Sequence, residues 1–335
     1  MAINVVRYRH AGTTDWGVLN GGRLEPLSCG DLSTGELLGH RPFDGAAPVE
    51  PINIADVELL APITAPCRVI CQGANYRQHM IESGVNPDDK QFNLLFMKSD
   101  ATLAPPRGDV RVPAQVQLLD YELELGLVFG KPVSRPTTIT ADTLPDYVAA
   151  LVMTNDVSAR DIQLPQNQWF KGKSYRGFCP VGPVLSVLEP DDYPLLDQLE
   201  LTLLVNERVR QHDSTANLVY RPLETLTELT QVSDLAPGDV LLTGTPSGCA
   251  LRAPAPFVQR LMGLLPERVK WRAFIKAQKK RGAYLKPGDV VRSTIKSADR
   301  RIDLGEQLLR ITWTRSTDNQ DHGRRAVSHI SGGTS

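Results

Sequence analysis

The chain has 335 residues and a mass of 36.8 kDa, which is enough for two domains or for one large domain with a smaller partner. Its hydrophobic fraction of 41% and charged fraction of 22% exclude a fully disordered or fibrous chain. With 37 basic and 38 acidic residues the net charge is −1, so composition gives no general reason to expect binding to nucleic acid or membranes.

The cysteines and the first residues of the chain bear on its location. Five scattered cysteines without CxxC spacing predict free thiols. The opening residues MAINVVRYRH do not have the charged and then apolar pattern of a secretory signal, and no uncharged apolar run is long enough to span a membrane. We therefore expect a cytoplasmic protein with no membrane-spanning segment.

Residues 1–62 predict a small β-rich N-terminal domain. The turn Asn20-Gly21-Gly22 separates two apolar segments, as in a β-hairpin. Pro and Gly are concentrated between residues 39 and 51, as in a connecting loop. Nothing in this region suggests chemistry.

Residues 63–315 predict a larger, mostly β domain with few helices, one of them over about 141–152. The motif LxPGDV occurs twice, at Leu235–Val240 and Leu285–Val290, and its Pro-Gly pair predicts a type II turn that leads into a strand. Residues 316–335 are polar and Gly-rich, and they predict a disordered tail.

Residues 252–286 differ in composition from the rest and form a basic insert. Ten basic residues and one acidic residue, Glu267, give it a net charge of +9, and its apolar residues keep helical spacing. We expect two short amphipathic helices that either cap the active site and select larger or more anionic substrates, or form a surface or dimer contact. No nucleic-acid-binding motif occurs here, so nucleic acid is not expected as a partner.

Two carboxylates are the first candidate site residues. In a strand, Glu122 and Glu124 point to the same face because side chains alternate. The apolar run that follows them indicates burial, and two buried like charges are costly unless a cation neutralises them. Alternation alone would equally suit a solvated polar face.

A third carboxylate, Asp156, follows the apolar run at 148–153 and therefore lies at the end of a buried segment. Three carboxylates without a His or Cys partner suit a hard divalent cation, Mg²⁺ or Mn²⁺, and are compatible with Ca²⁺. Arg160 and Gln163 follow, one helical turn apart, and both can face the same site.

A general base is suggested by His79 and Glu82, which are neighbours on a helical turn. A carboxylate beside an imidazole fixes its tautomer and raises its basicity, although a surface His–Glu pair would have the same spacing. Lys173, in WFKGKS, and Thr245, in GTPSG, are further candidates, with a surface lysine and a plain turn as the alternatives.

Eight segments in this order resemble the fumarylacetoacetate hydrolase superfamily, with acylpyruvate hydrolases as the nearest type: GANYRQHMIE, LLFMKSDATLAPP, LLDYELELGLVFGK, TNDVSARDIQ, KGKSYRGFCPVGPVL, VNERVRQ, LAPGDVLLTGTPSG and LKPGDVV. The resemblance covers about residues 65–250 and resumes near 285, and the first 62 residues look like the small leading domain of many members.

The resemblance implies an α+β, mostly β fold with a mixed β-roll catalytic domain, usually in a homodimer. It also implies a small-molecule keto-acid substrate and Mg²⁺ or Mn²⁺ as cofactor. The implied roles are metal binding by Glu122, Glu124 and Asp156, catalysis by His79, Glu82 and Lys173, and substrate binding by Arg160, Gln163, Thr245 and Tyr76.

Three departures from the family pattern leave the substrate open. They are KSYRGF after the lysine, Cys249-Ala250 after GTPSG, and SADRR at 297–301 in place of a Gly-x-Gly segment. We predict metal-dependent hydrolysis of a carbon–carbon bond in an acylpyruvate, which releases pyruvate and a carboxylic acid. The alternatives are decarboxylation of a β-keto acid such as oxaloacetate, isomerase or hydratase chemistry through the same enolate, and a non-catalytic member.

Overall fold

Strands dominate the structure, a computed structural model that describes residues 1–45, 49–89 and 92–314. The predicted disordered tail, 316–335, lies outside the described residues, and the proposed domain division stays a prediction.

The elements from residue 3 to residue 104 are mostly short strands. They are β1 (Ile3–His10), β2 (Thr13–Asn20), β3 (Arg23–Pro26), α1 (Thr34–His40), β4 (Ile52–Asn53), β5 (Glu58–Leu59), β6 (Val69–Gly73), α2 (Arg77–Glu82), β7 (Leu94–Lys98) and β8 (Leu103–Ala104).

The middle of the chain contains the longest buried strands. Its elements are β9 (Arg107–Val112), β10 (Leu119–Asp120), β11 (Leu123–Phe129), α3 (Leu144–Tyr147), β12 (Val148–Asn155), β13 (Ser158–Ala159), α4 (Arg160–Gln163), α5 (Phe170–Lys173) and β14 (Cys179–Val187).

The remaining elements complete a second sheet and include the helices of the insert. They are β15 (Leu199–Val205), β16 (Arg208–Ser214), α6 (Pro222–Val232), β17 (Val240–Leu242), α7 (Pro256–Gly263), α8 (Glu267–Lys280), β18 (Val290–Ser297) and β19 (Asp303–Trp313).

Two large mixed sheets organise these strands. The main sheet has the order β4-β3-β2-β1-β14-β12-β11-β17-β6-β7, with β5 on β1 and β8 on β14. The second has the order β16-β15-β18-β19-β9, and β10 pairs with β13. Most neighbours are antiparallel, but β17 is parallel to β6, β8 to β14 and β19 to β9. This architecture confirms the mostly β fold class expected from the sequence.

The predicted hairpin and the two Pro-Gly turns are confirmed. Asn20 pairs with Arg23, and the two glycines between them have φ of +55° and +85°. Residues other than glycine rarely adopt this backbone conformation. In the LxPGDV motifs Gly238 and Gly288 have φ of +89° and +88°, and each turn leads into a strand, β17 or β18.

The helix predicted over about 141–152 is wrong in most of its length. Only Leu144–Tyr147 is helical, and the chain continues from Val148 as β12, between β11 and β14. A buried strand with apolar residues on both faces has no alternation, so the pattern alone does not distinguish it from a buried helix.

Strand register explains where the polar residues meet. Leu123, at the start of β11, pairs with Asn155, at the end of β12. Glu122 and Asp156 are the next residues beyond this pair, and the Asp156 N–H donates to the Glu122 carbonyl at 2.7 Å. Two chain segments that bear carboxylates therefore leave the buried sheet side by side.

In the part of the chain that the structure describes, no helix is both long enough and apolar enough to cross a bilayer.

Replacement of Gly172 tests the packing of α5 against α4. A Cβ at this position would lie 2.6 Å from the Cα and N atoms of Gln163, and backbone cannot move aside cheaply. We expect Gly172→Ala to lower the free energy of unfolding by about 1–3 kcal/mol, measured by urea denaturation.

The matched control is Gly39→Ala, in the exposed last turn of α1, where a Cβ would meet no atom within 4 Å. This variant should be as stable as the parent or more stable by about 0.5–1 kcal/mol. Equal stability of the two variants would contradict the packing argument.

Candidate active site

A cavity of about 510 Å³ opens beside the ends of β11 and β12. One part of its wall is polar and contains eight of the ten predicted site residues: His79, Glu122, Glu124, Asp156, Arg160, Gln163, Lys173 and Thr245. The structure therefore brings together residues that are up to 166 positions apart in the sequence.

The three predicted metal ligands form one cluster. Glu122, Glu124 and Asp156 are all buried, and each offers a carboxylate oxygen within 4.8 Å of the others. Burial of three carboxylates at this separation is unfavourable unless positive charge is close by.

Two lysines supply part of that charge. The Lys173 ammonium contacts the Glu122 carboxylate and lies 2.5 Å from Asp156 Oδ2, and Lys98 Nζ lies 2.5 Å from Asp156 Oδ1. Sequence reasoning missed Lys98. Its position at the end of the apolar segment LLFM was the available signal, because a lysine that is buried needs a charged partner.

Arg160 is held between two carboxylates and an amide. Its guanidinium contacts Glu122, donates to Asp120 Oδ2 at 2.9 Å and donates to Gln163 Oε1 at 2.8 Å. Burial favours the neutral forms of these groups, but the charges outweigh burial: Arg160 and Lys173 hold the pKa of Glu122 below its ordinary value, and Asp156 and Glu122 raise the pKa of Lys173.

Asp120, which was not singled out in the sequence, joins the site to the segment before the insert. Its Oδ1 accepts hydrogen bonds from the Ala250 and Tyr121 N–H groups at 2.7 and 2.9 Å, and its Oδ2 accepts one from Leu251 N–H at 3.0 Å. This buried carboxylate thus fixes the loop and the Arg160 guanidinium together.

Glu124 is the carboxylate with the least compensation. It accepts a hydrogen bond from the Gly244 N–H at 2.8 Å, and burial raises its pKa well above the ordinary value, with Asp156 and Glu122 adding to the rise. Four carboxylates including Asp120 face three cations here. A surplus negative charge and a set of oxygen donors fit a hard divalent cation such as Mg²⁺ or Mn²⁺.

His79 lies in the same cavity as a buried base. Burial lowers its pKa, an effect that Glu122 partly opposes, so the imidazole is neutral near pH 7. Its Nδ1 is buried and has no hydrogen-bond partner within the described residues. A neutral ring with a free nitrogen can accept a proton.

Glu82 does not make the hydrogen bond to His79 that their spacing suggested. Its carboxylate lies 3.1 Å from the Arg252 guanidinium and accepts from the Gly248 N–H at 3.3 Å. The competing partners come from a loop distant in sequence, which helix spacing cannot reveal. Glu82 therefore connects α2 to the insert, and its predicted catalytic role stays a prediction.

Two predicted substrate residues are already engaged or enclosed. The Thr245 hydroxyl donates to the Leu123 carbonyl at 3.0 Å and accepts from Gln211 Nε2 at 2.8 Å, so it fixes the start of β11. Tyr76 packs within the main hydrophobic core and lies outside the cavity wall. Its contact with a substrate stays a prediction.

Cys249 is a further residue that sequence reasoning did not assign. Its sulfur lies within 4.8 Å of ligand atoms of His79 and Glu122, and burial raises the pKa of its thiol well above the ordinary value. All five cysteines are free, which confirms the prediction of unpaired thiols.

The remainder of the wall is largely apolar, and part of it belongs to the insert. Met262 of α7 and Lys270, Trp271 and Phe274 of α8 line the cavity. Of the two roles left open for the insert, this placement supports the cap.

Comparison with known proteins agrees with the architecture. Residues 68–311 match the family described as fumarylacetoacetate (FAA) hydrolase C-terminal, and residues 5–62 match the one described as Rv2993c-like, N-terminal. The chain therefore belongs to the fumarylacetoacetate hydrolase family, as its motifs indicated.

Curated relatives include oxaloacetate tautomerases from animals and bacteria. The bovine mitochondrial protein FAHD2A is 36% identical over 213 residues, which cover 62% of this chain and 64% of the relative. YisK from Bacillus subtilis is 36% identical over 202 residues, which cover 58% and 64%. The chain spans just under two thirds of the length of these relatives.

Among solved structures, the chain is similar to a fumarylacetoacetate hydrolase from psychrophilic Exiguobacterium antarcticum. The TM-score is 0.71 at 27% identity, with 93% of this chain and 100% of the other covered.

Asp120→Asn tests the link between the site and the loop. The amide of asparagine has one accepting oxygen, so it cannot accept from the loop N–H groups and from the Arg160 guanidinium at the same time. Arg160 also loses a buried charged partner. We expect a loss of about 3 kcal/mol or more in the free energy of unfolding, measured with urea. The same change at Asp146, whose ion pair with Lys131 is exposed, should cost less than about 1 kcal/mol. Similar losses in both variants would show that Asp120 has no special role.

Glu124→Gln tests the metal site with a readout besides activity. Removal of one anionic oxygen donor should weaken Mn²⁺ binding at least about tenfold, measured by calorimetry. In EDTA the variant should be at least as stable as the parent, since the substitution removes a buried negative charge that has no cation against it. Glu200→Gln, at an exposed position of β15, is the control and should leave Mn²⁺ affinity unchanged. Unaltered binding by Glu124→Gln would exclude it as a ligand.

Proposed function

We propose that this chain is a metal-dependent enzyme that acts on a 2-oxo acid through an enolate, and that its reaction is hydrolysis of a carbon–carbon bond in an acylpyruvate. The observation that carries the proposal is the presence of the carboxylate cluster, Lys173 and a neutral buried His79 in one cavity.

Charge is the first contribution of these residues. The cation held by Glu122, Glu124 and Asp156, when bound, supplies Lewis-acid stabilisation of negative charge on the substrate oxygens. The ammonium of Lys173 remains protonated because the nearby carboxylates raise its pKa. It stabilises the charge that develops on the enolate from a buried position in the cavity wall.

Proton transfer is the contribution of His79. The imidazole takes a proton from water, and the hydroxide adds to the distal carbonyl carbon, C4. The C3–C4 bond then breaks, and its electron pair forms the enolate of pyruvate while C4 leaves as a carboxylic acid. The protonated His79 returns its proton to C3, so acylpyruvate and water yield pyruvate and the acid.

Tautomerisation of a 2-oxo acid such as oxaloacetate is the second candidate, supported by the names of the bovine and Bacillus relatives. It uses the same enolate and the same base, but His79 moves a proton between C3 and the enol oxygen, and no water is consumed.

Decarboxylation of a β-keto acid is the third candidate reaction. It passes through the same enolate and needs no base to activate water.

One assay separates the three reactions. The purified chain is given Mn²⁺ or Mg²⁺, with EDTA controls. The loss of enol absorbance is followed for acetylpyruvate and longer acylpyruvates and, in parallel, for oxaloacetate. The products of each reaction are identified by chromatography. Formation of pyruvate and the matching acid supports hydrolysis. Faster keto–enol exchange of oxaloacetate without product formation would replace it by tautomerisation, and pyruvate from oxaloacetate alone would replace it by decarboxylation.

His79→Asn should lower kcat by about 10²–10⁴-fold, because the base is lost. Binding of Mn²⁺ should not change, since the carboxylate cluster is intact. The matched variant His10→Asn, at the exposed end of β1, should retain full activity. An active His79→Asn enzyme would remove His79 from the mechanism.

The expected homodimer and the cytoplasmic location stay predictions. Exposed apolar side chains of α7, at Phe257 and Leu261, support an association surface. Light scattering that gives twice the chain mass of 36.8 kDa would support the dimer. A mass of one chain would exclude it.

A further inference from the structure

The insert forms part of the cavity wall, and the side chains of Arg252 and Lys279 attach it to the body at two points. Arg252 pairs with Glu82 at 3.1 Å. Within the insert, the Arg252 carbonyl accepts from Gln278 Nε2 at 3.0 Å, which joins the start of the insert to α8. Lys279 Nζ lies 2.7 Å from Gln117 Oε1. These contacts hold the start of the insert and α8 against the body, and residues of both α7 and α8 line the cavity.

Apolar surface begins directly beside the reacting groups. The Phe96 ring centroid lies 5.3 Å from Lys173 Nζ and 5.2 Å from the Trp169 ring, in an edge-to-face arrangement. Leu94, from the same strand as Phe96, also lines the cavity. An acyl group that extends from a 2-oxo acid held near Lys173 therefore contacts aromatic and aliphatic side chains.

The insert continues this surface with side chains of the same character. Met262, Trp271 and Phe274 line the cavity, and the Trp271 and Phe274 rings pack edge to face at 5.7 Å. Leu251 and Pro254, in the segment that leads into α7, line it as well.

Most of the positive charge of the insert lies outside the described cavity lining. Of its ten basic residues, Lys270 is the one found among the described residues of the lining. Its ammonium is paired with Glu267 and lies 4.9 Å from the Trp271 ring. Arg260 and Arg272 are exposed and do not line the cavity. A carboxylate at the far end of a substrate would find little compensation here.

We propose that the insert, residues 252–286, makes this site selective for 2-oxo acids whose distal group is large, apolar and uncharged, such as long-chain or aromatic acylpyruvates. The cavity of about 510 Å³ has the size typical of pockets that enclose drug-sized ligands. A four-carbon dicarboxylic acid has no apolar group that could fill the apolar part of this cavity. This inference rests on the proposed function for the reacting end of the substrate.

A binding series tests the inference without any turnover. Straight-chain 2-oxo acids from 2-oxobutanoate to 2-oxooctanoate are titrated calorimetrically into the Mn²⁺-loaded protein. Each added methylene should tighten Kd about threefold to fourfold. The matched comparison is 2-oxopentanoate with 2-oxoglutarate, which has five carbons and a distal carboxylate. The apolar acid should bind more tightly.

A pair of variants assigns the selectivity to the insert. Met262→Ala, in the cavity wall, should weaken 2-oxooctanoate binding at least about fivefold and leave 2-oxobutanoate unchanged. Leu264→Ala, two residues away and 82% exposed, is the control and should alter neither. Trp271→Ala should act like Met262→Ala, and it keeps the test valid if one variant fails to fold.

Two results would overturn the inference: affinities that do not rise with chain length, or tighter binding of 2-oxoglutarate than of 2-oxopentanoate. Equal effects of Met262→Ala and Leu264→Ala on 2-oxooctanoate binding would show that the insert does not determine the selectivity. Failure of the proposed hydrolysis is distinguishable, because the binding series would keep its chain-length dependence while acylpyruvates remained uncleaved.

Discussion

Burial of negative charge where β11 begins and β12 ends is the constraint on which the rest of the site depends. Glu122, Glu124 and Asp156 lie together because two antiparallel strands bring their ends side by side. A cluster of this kind is stable only with compensating charge, and Lys98 and Lys173 provide it from other elements. The surplus negative charge at Glu124 is what a divalent cation would neutralise.

The same cluster also determines how the cavity is closed. Arg160 neutralises Glu122 on one side and binds Asp120 on the other, and Asp120 in turn holds the backbone before the insert. Glu82 makes a second connection, through Arg252. Charge compensation and the position of the cap are thus parts of one hydrogen-bonded arrangement, so the reacting end and the distal end of the cavity are built together.

The polar end of the cavity is built from the family motifs, whereas the distal end is not built from them alone. The polar end corresponds to the motifs by which the chain belongs to its family, and it supports enolate chemistry that hydrolases, tautomerases and decarboxylases share. The distal end is formed in part by α7 and α8, which belong to none of the motifs of that resemblance. Substrate choice therefore has to be argued from Met262, Trp271 and the aromatic residues opposite them.

By itself, the sequence determined what local chemistry dictates: the Gly21-Gly22 hairpin, the two Pro-Gly turns, the carboxylate spacing at Glu122 and Glu124, and the ordered motifs of the family. These depend on backbone conformation and residue type, which are properties of short segments. Only the tertiary structure decided that 148–155 is a buried strand, that Lys98 and Asp120 complete the charge network, that Glu82 binds Arg252 rather than His79, and that the basic insert presents its apolar face to the cavity. Each of these depends on contacts between residues far apart in the chain, and no local pattern specifies which distant partner is nearest.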